Sequence, residues 1–238
     1  MSTYLEYAPI MPNERVTQNR MPGADRQRQL LEVAMSAFSR RGFKGTTTKE
    51  IAAAAGVAEA VIFQHFPSKE ALYSAVLDLH LDSKEEAEWI EQISDLMERN
   101  DDEAVIRSFV TRILRSYRCD PEIERVILFA ALEGHEQGMT RLHKQFAPIF
   151  ERLMTYVTRR QREGALIDCN PHAILVSIGA VAHQYGLITQ IFRAPTPNVP
   201  DEDMAQLFTR MLLRGMQASP SSRKNSSKVR KQRNRKAK

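Results

Sequence analysis

The sequence predicts an all-α protein, a three-helix N-terminal domain followed by a larger C-terminal helical domain. Three observations predict it. Apolar residues recur at helical spacing in nearly every segment beyond Ala24, no stretch sustains the two-residue alternation of a half-buried strand, and Gly or Pro marks most of the breaks between the periodic segments, as at Gly42, Gly56, Pro67, Gly134 and Gly164. With 238 residues, 42% of them hydrophobic, the chain can bury a substantial core.

The spacing divides the chain into a leader over 1–24, a first domain over 25–72, a second over 73–216 and a tail over 217–238. Helix one is predicted from Asp25 to Arg41, with Leu30, Leu31, Ala34 and Phe38 on one face; Gly42 ends it and Phe43 folds back on the core. Thr47 and Glu50 make a Thr-x-x-Glu capping box, in which each side chain satisfies a backbone donor of the other's turn, and this fixes the start of helix two. Helix two stops at Gly56, and helix three runs from Val57 to Phe66, where Pro67 ends it. Ser68 is a good cap for a fourth helix carrying Leu72, Val76 and Leu79. Further helices are predicted over Lys84–Met97, Glu103–Tyr117, Pro121–Glu133, Thr140–Glu163, His172–Phe192 and Glu202–Met216.

Charge is unevenly distributed. The last 22 residues hold nine of the 34 Lys and Arg and no acid, so a formal net charge of +5 leaves −4 for everything before them. The basic character belongs to a tail too poor in apolar residues to fold alone, and it offers phosphate contacts that would steepen the salt dependence of any nucleic-acid binding. Cys119 and Cys169 stand far apart without a Cys/His cluster, so neither a disulfide framework nor a metal site is expected, and a reducing cytoplasm fits. The opening MSTYLEYAPIMPNER lacks the pattern of a signal peptide and reads as a disordered leader. Residues 173–192 carry no formal charge over a length that can span a bilayer. Ser177, His183, Gln184, Thr189 and Gln190 interrupt the stretch and would go unsolvated in lipid, so a core or interface helix is expected and no membrane.

The most informative stretch is Thr46 to Leu72, TTTKEIAAAAGVAEAVIFQHFPSKEAL. Two short helices that cross at a tight turn need a small residue on the first, a residue tolerant of positive φ in the turn, and apolar side chains sealing the angle. Ala52, Gly56 and the set Ile51, Ala55, Val57, Ile62 supply these at helix-turn-helix spacing. In that geometry helix three can enter a DNA major groove, with Glu59, Ala60, Phe63 and Gln64 outward and Val57, Ile62 and Phe66 buried. Small residues and a Gly also occur in ordinary helical hairpins, so the spacing alone is a modest signal. Lys69 adds to it. A cation at a helix start is opposed by the dipole, and a phosphate docked there would reverse the sign.

Phe38, RRGFKGTTTKEIA (40–52), AGV (55–57) and HFPSKEALY (65–73) together resemble the tetracycline-repressor (TetR) family of regulators over about Asp25 to Leu77. The resemblance implies a ligand-responsive DNA-binding regulator, a repressor that leaves a palindromic operator when a small, mostly hydrophobic effector binds. It implies a DNA-contacting set of Thr47, Thr48, Glu59, Ala60, Phe63, Gln64, His65 and Lys69, in which Thr48, His65 and Lys69 match phosphate-touching positions and Ala60, Phe63 and Gln64 match positions reaching bases or neighbouring backbone. Three residues depart from the family pattern: Ala58 replaces the usual Ser or Thr cap of the recognition helix, Glu59 replaces a basic or neutral residue, and Phe63 replaces a Tyr that offers its hydroxyl to phosphate. Glu59 repels phosphate unless it accepts a hydrogen bond from cytosine N4.

One recognition helix reads only a few base pairs, so specific affinity calls for a symmetric pair. The helices over 173–192 and Glu202–Met216 resemble the family's last two, which build a four-helix dimer interface; the alternative for them is internal core. Tyr117, His135, His143, His183, Gln184 and Tyr185 are polar groups near apolar faces that could orient an effector, with Tyr117, His135, His183 and Tyr185 the foremost, although a satisfied interior or surface role suits each as well. No cofactor is indicated. No Ser/His/Asp elbow, HExxH, Gly-rich phosphate loop or paired Cys nucleophile is present, so an enzyme is not expected. The competing readings are a DNA-binding regulator without ligand response and an interaction module that does not bind DNA.

Overall fold

The computed structural model describes residues 22–81, 84–197 and 199–217. Of the leader expected over 1–24, residues up to 21 lie outside the described residues, as does the basic tail beyond Gln217, while Gly23 and Ala24 already belong to the first helix. Within them the chain forms ten α-helices and no strand, which establishes the all-α class.

Helix α1 (Gly23–Arg41) buries Leu30, Leu31, Ala34, Met35, Ala37 and Phe38 on one stripe. Gly42 ends it with φ +70°, and any side chain there would collide with Glu133, whose Oε1 lies 2.1 Å from the position of a Cβ. The turn that follows is closed by Thr46, fully buried, whose hydroxyl donates to the carbonyl of Gly42 at 2.8 Å. Helix α2 (Thr48–Ala54) opens with the complete capping box: Thr47 Oγ1 accepts from the Glu50 amide, and Glu50 accepts from the Thr47 amide at 3.0 Å. Gly56, at φ +68°, turns the chain into α3 (Glu59–His65), a span shorter than predicted because Phe66 already has extended backbone. Ala58 provides no side-chain cap to α3.

Helix α4 (Lys69–Leu81) starts at Ser68, whose Oγ accepts from the Ala71 amide at 3.1 Å. Then follow α5 (Lys84–Glu98), α6 (Asp102–Cys119), α7 (Pro121–Glu133), α8 (Glu136–Arg162), α9 (Pro171–Gly186) and α10 (Asp201–Met216). Asp101 and Asp120 cap α6 and α7, and Gly134, at φ +63°, ends α7. Two further boundaries differ from the sequence expectation by four residues or more. Helix α8 begins four residues before Thr140, because His135 serves as its cap, Nδ1 accepting from the Gly138 amide at 3.0 Å. The helix expected to reach Phe192 is α-helical only to Gly186 and then widens into a π-helical turn over Leu187–Ile191. Gly186 sits against Tyr117, where a Cβ would lie 2.4 Å from the ring, so α9 and α6 approach more closely than any other residue at 186 would allow.

Two apolar clusters hold the molecule. The first joins α1 to α4 and also draws in Ile123, Val126 and Ala130 of α7 and Leu142 of α8. The small N-terminal unit therefore shares its core with the larger one, and α1 packs directly on α7. The second joins α5, α6, α8, α9 and α10 around Ile93, Val110, Leu153, Ile178 and Ala182.

Candidate nucleic-acid interface

Helix α3 is held by one side and leaves the other free. Ile62 is fully buried and Phe66 nearly so, which anchors the inner face, and Val57 is half-buried beside them. Ala60, Phe63 and Gln64 face outward and are exposed. Phe63 is 48% exposed, a large apolar side chain presented to solvent. His65, the last residue of α3, is half-buried, its ring 6.4 Å from that of Phe66. Among the described residues, three of the four side chains expected to face outward from α3, those of Ala60, Phe63 and Gln64, are thus left uncovered, and the fourth, Glu59, is half-buried.

Glu59 is placed differently from its outward neighbours. Its Oε1 accepts from Thr48 Oγ1 at 2.5 Å, so the carboxylate and the hydroxyl at the starts of α3 and α2 are tied to one another. Glu50 is held well into its charged form: the Thr47 amide and hydroxyl donate to it and Arg41 pairs with it at 2.8 Å, which together lower its pKa. Lys69 turns away from the dipole that opposes it. Its Nζ donates to the carbonyls of Phe43 and Thr46, both at 3.0 Å, and lies 4.1 Å above the Phe43 ring. Two of its three protons are used inside the fold. Arg40, Lys44 and Lys49 are exposed around the same end of the molecule.

A residue that spacing gave no reason to suspect completes the support. Glu133, the last of α7, accepts from the Phe43 amide at 3.0 Å and the Lys44 amide at 3.2 Å, while Lys44 Nζ donates to the Glu133 carbonyl at 2.9 Å. These partners lie about ninety residues apart in the chain, so no local pattern could reveal them. The turn between α1 and α2 is clamped by α7 on one side and by α4, through Lys69, on the other.

The candidate effector residues are not brought into one site. Tyr117 is buried and its hydroxyl lies 3.4 Å from His183 Nδ1, with the two rings edge-on at 5.7 Å. Burial first, and the nearby Glu124 charge second, push the Tyr117 phenol up to about 12. Glu124 is itself buried and raised in pKa by desolvation, with Ser116 donating to it. Tyr185 packs edge-on against Phe208 at 5.6 Å. His135 belongs to the other core cluster, its ring 4.4 Å from Phe43 and 4.7 Å from Tyr73, and its Nδ1 is engaged in capping α8. His143 and Gln184 are exposed. The apolar gap between α6, α8 and α9, lined among others by Val105, Phe109, Leu153 and Ile178, has a volume of about 20 Å³, enough for a water but not for an effector.

The family described as bacterial regulatory proteins, tetR family, matches residues 30–76, the span of α1 to α4 just described. The HTH-type transcriptional regulator RutR of Escherichia coli K12 is 28% identical over 160 residues, which make up 67% of this chain and 73% of that protein. The HTH-type transcriptional activator FasR of Mycolicibacterium smegmatis is 46% identical over 65 residues, 27% of this chain and 30% of FasR. Among solved structures, the ketosteroid transcriptional regulator KstR2 of Mycobacterium tuberculosis superposes with a TM-score of 0.62 at 17% identity, covering 82% of this chain and 96% of that one. AibR, in complex with isovaleryl coenzyme A and operator DNA, superposes with a TM-score of 0.60 at 20% identity, covering 79% of this chain and 98% of that one. A helix-turn-helix head with its third helix bared, on a larger all-helical body, and a matching family span over that head give residues 30–76 of this chain the DNA-binding head of the tetR family of transcriptional regulators.

Proposed function

We propose that the chain acts in the cytoplasm as a homodimeric repressor that sets its two α3 helices into successive major grooves of a palindromic operator and is released by a small, mostly hydrophobic effector. The observation that carries the DNA half of this reading is the bare outward face of α3 above a fully packed inner face. Ala60, Phe63 and Gln64 would meet base edges, while Thr47, Thr48, His65 and the remaining proton of Lys69 would meet phosphate, with Arg40, Lys44 and Lys49 adding sequence-independent attraction.

Dimerisation is supported by what α9 and α10 leave uncovered. The helix over Pro171–Ile191 is long and apolar enough to cross a membrane, yet only 28% of its apolar window is buried within the subunit. Val176, Leu207 and Met211 are exposed on these two helices, and Ala173, Ser177 and Ala180 form a small-residue stripe on α9 that permits a close crossing. The same stripe includes Gln184 and His183, which water or a polar partner can satisfy and hydrocarbon cannot, so a second copy suits this face better than lipid.

The effector half rests on Tyr117, buried in the second core, with His183 beside it on the exposed side of α9, and on the fold shared with regulators whose structures concern a ketosteroid or hold an acyl coenzyme A. Binding there would have to part α6 from α9, where Tyr117 meets His183 and Gly186, and α7 would carry the change to the clamped turn. A regulator without ligand response is the alternative. The experiment is selection of bound fragments from random duplex DNA. Enrichment of a palindrome with half-sites about one helical turn or a multiple apart supports the reading; recovery of no preferred sequence overturns it.

A further inference from the structure

Helix α3 offers an unusual set of readers. Resting on the assignment of α3 as the groove-entering helix, we infer that each half-site is read through A·T pairs, with Phe63, flanked by Ala60, against a thymine C5-methyl and Gln64 on the neighbouring adenine. In the major groove the only apolar group any base presents is the methyl of thymine. Phe63 has no polar atom with which to hold a phosphate, and it is 48% exposed on the outward face, where its ring gains by covering such a methyl. Ala60, one turn earlier on the same face, is exposed and small enough to let the ring lie flat against the groove. Gln64, also exposed, carries the donor and acceptor pair that matches N7 and N6 of adenine.

The residues that would read G·C are missing or engaged. Recognition of guanine draws mainly on Arg or Lys, and α3, of sequence EAVIFQH, has neither. Recognition of cytosine N4 would draw on Glu59, whose Oε1 is bound to the Thr48 hydroxyl at 2.5 Å. The carboxylate that the sequence marks as a cytosine reader is thus turned to joining α2 to α3.

The test uses the duplex enriched from random DNA, remade one position at a time with deoxyuridine in place of thymidine or 7-deazaadenine in place of adenine, and titrated with the wild-type chain, Phe63→Ala and Gln64→Ala. At one thymine in each half-site, loss of the methyl is expected to weaken wild-type binding about fourfold per half-site, the equivalent of roughly 0.8 kcal/mol for one buried CH₂-sized group. Phe63→Ala should bind the thymine and uracil duplexes equally, and Gln64→Ala should stop discriminating the adjacent adenine. Equal wild-type affinity for uracil and thymine at every position, or methyl discrimination that survives in Phe63→Ala, overturns the inference while leaving DNA binding intact. If no duplex is enriched at all, the DNA-reading assignment falls and this inference with it.

Discussion

At Lys69 an ammonium group occupies the first residue of a helix, where the aligned peptide dipoles oppose a cation by roughly 0.3–1 kcal/mol. The sequence exposes that conflict and suggests a phosphate as its remedy. The structure supplies another remedy inside the fold, since two backbone carbonyls and the Phe43 ring receive the charge. Lys69→Ala is therefore expected to destabilise the chain by about 1–2 kcal/mol in urea denaturation, because it removes hydrogen bonds from a charged donor to half-buried carbonyls. A variant as stable as the wild type would show that the amine serves DNA alone. Residues whose partners are three or four positions away, such as Thr47 and Glu50, were fully legible in the sequence. Residues whose partners are distant, such as Lys69 with Phe43 and Thr46, or Glu59 with Thr48 across the turn, were legible only as anomalies.

Among the elements, α7 bears most on how the body of the molecule speaks to the head. Its inner face contributes Ile123, Val126 and Ala130 to the head's core, and its last residue grips the turn after α1 through two backbone amides. A shift of α7 cannot leave that turn in place. We expect Glu133→Ala, which touches no DNA, to weaken operator binding by about 2- to 30-fold, corresponding to the 0.5–2 kcal/mol typical of positions that couple distant sites. Titration of the enriched duplex checks it, and unchanged affinity would mean that the apolar packing of α7 positions the head unaided. Helix existence was readable nearly throughout, because apolar periodicity and the Gly and Pro breaks are local. The early start of α8 was not, because an imidazole capping a helix through Nδ1 leaves no common signature. Nor was the π-helical turn after Gly186, whose setting is the ring of Tyr117 on another helix.

For the molecule as a whole, the division of labour was legible at the head and not in the body. The head is read by a compact motif in which turn, cap and small residue have fixed offsets, so the exposure of Ala60, Phe63 and Gln64 was legible, whereas the contact of Glu59 with Thr48 was not. The body offers only periodicity, and four polar residues chosen from it as effector contacts fall into two different core clusters: Tyr117, His183 and Tyr185 border the second, while His135 belongs to the joint with the head. Their spatial grouping depends on helix packing that spacing does not encode. The exposed stripe on α9 is the face the proposed dimer would cover, and the core shared through α7 joins the head to that helix. The most direct check of this account is the affinity of the enriched duplex for Ala60→Glu, which places a carboxylate on the exposed first turn of α3 without disturbing any packed residue. The account predicts unaltered thermal stability and assembly with at least a roughly tenfold loss of DNA binding, since an unpaired carboxylate facing the groove is repelled by phosphate and matched by no base edge other than cytosine N4. Full DNA affinity in that variant would contradict it.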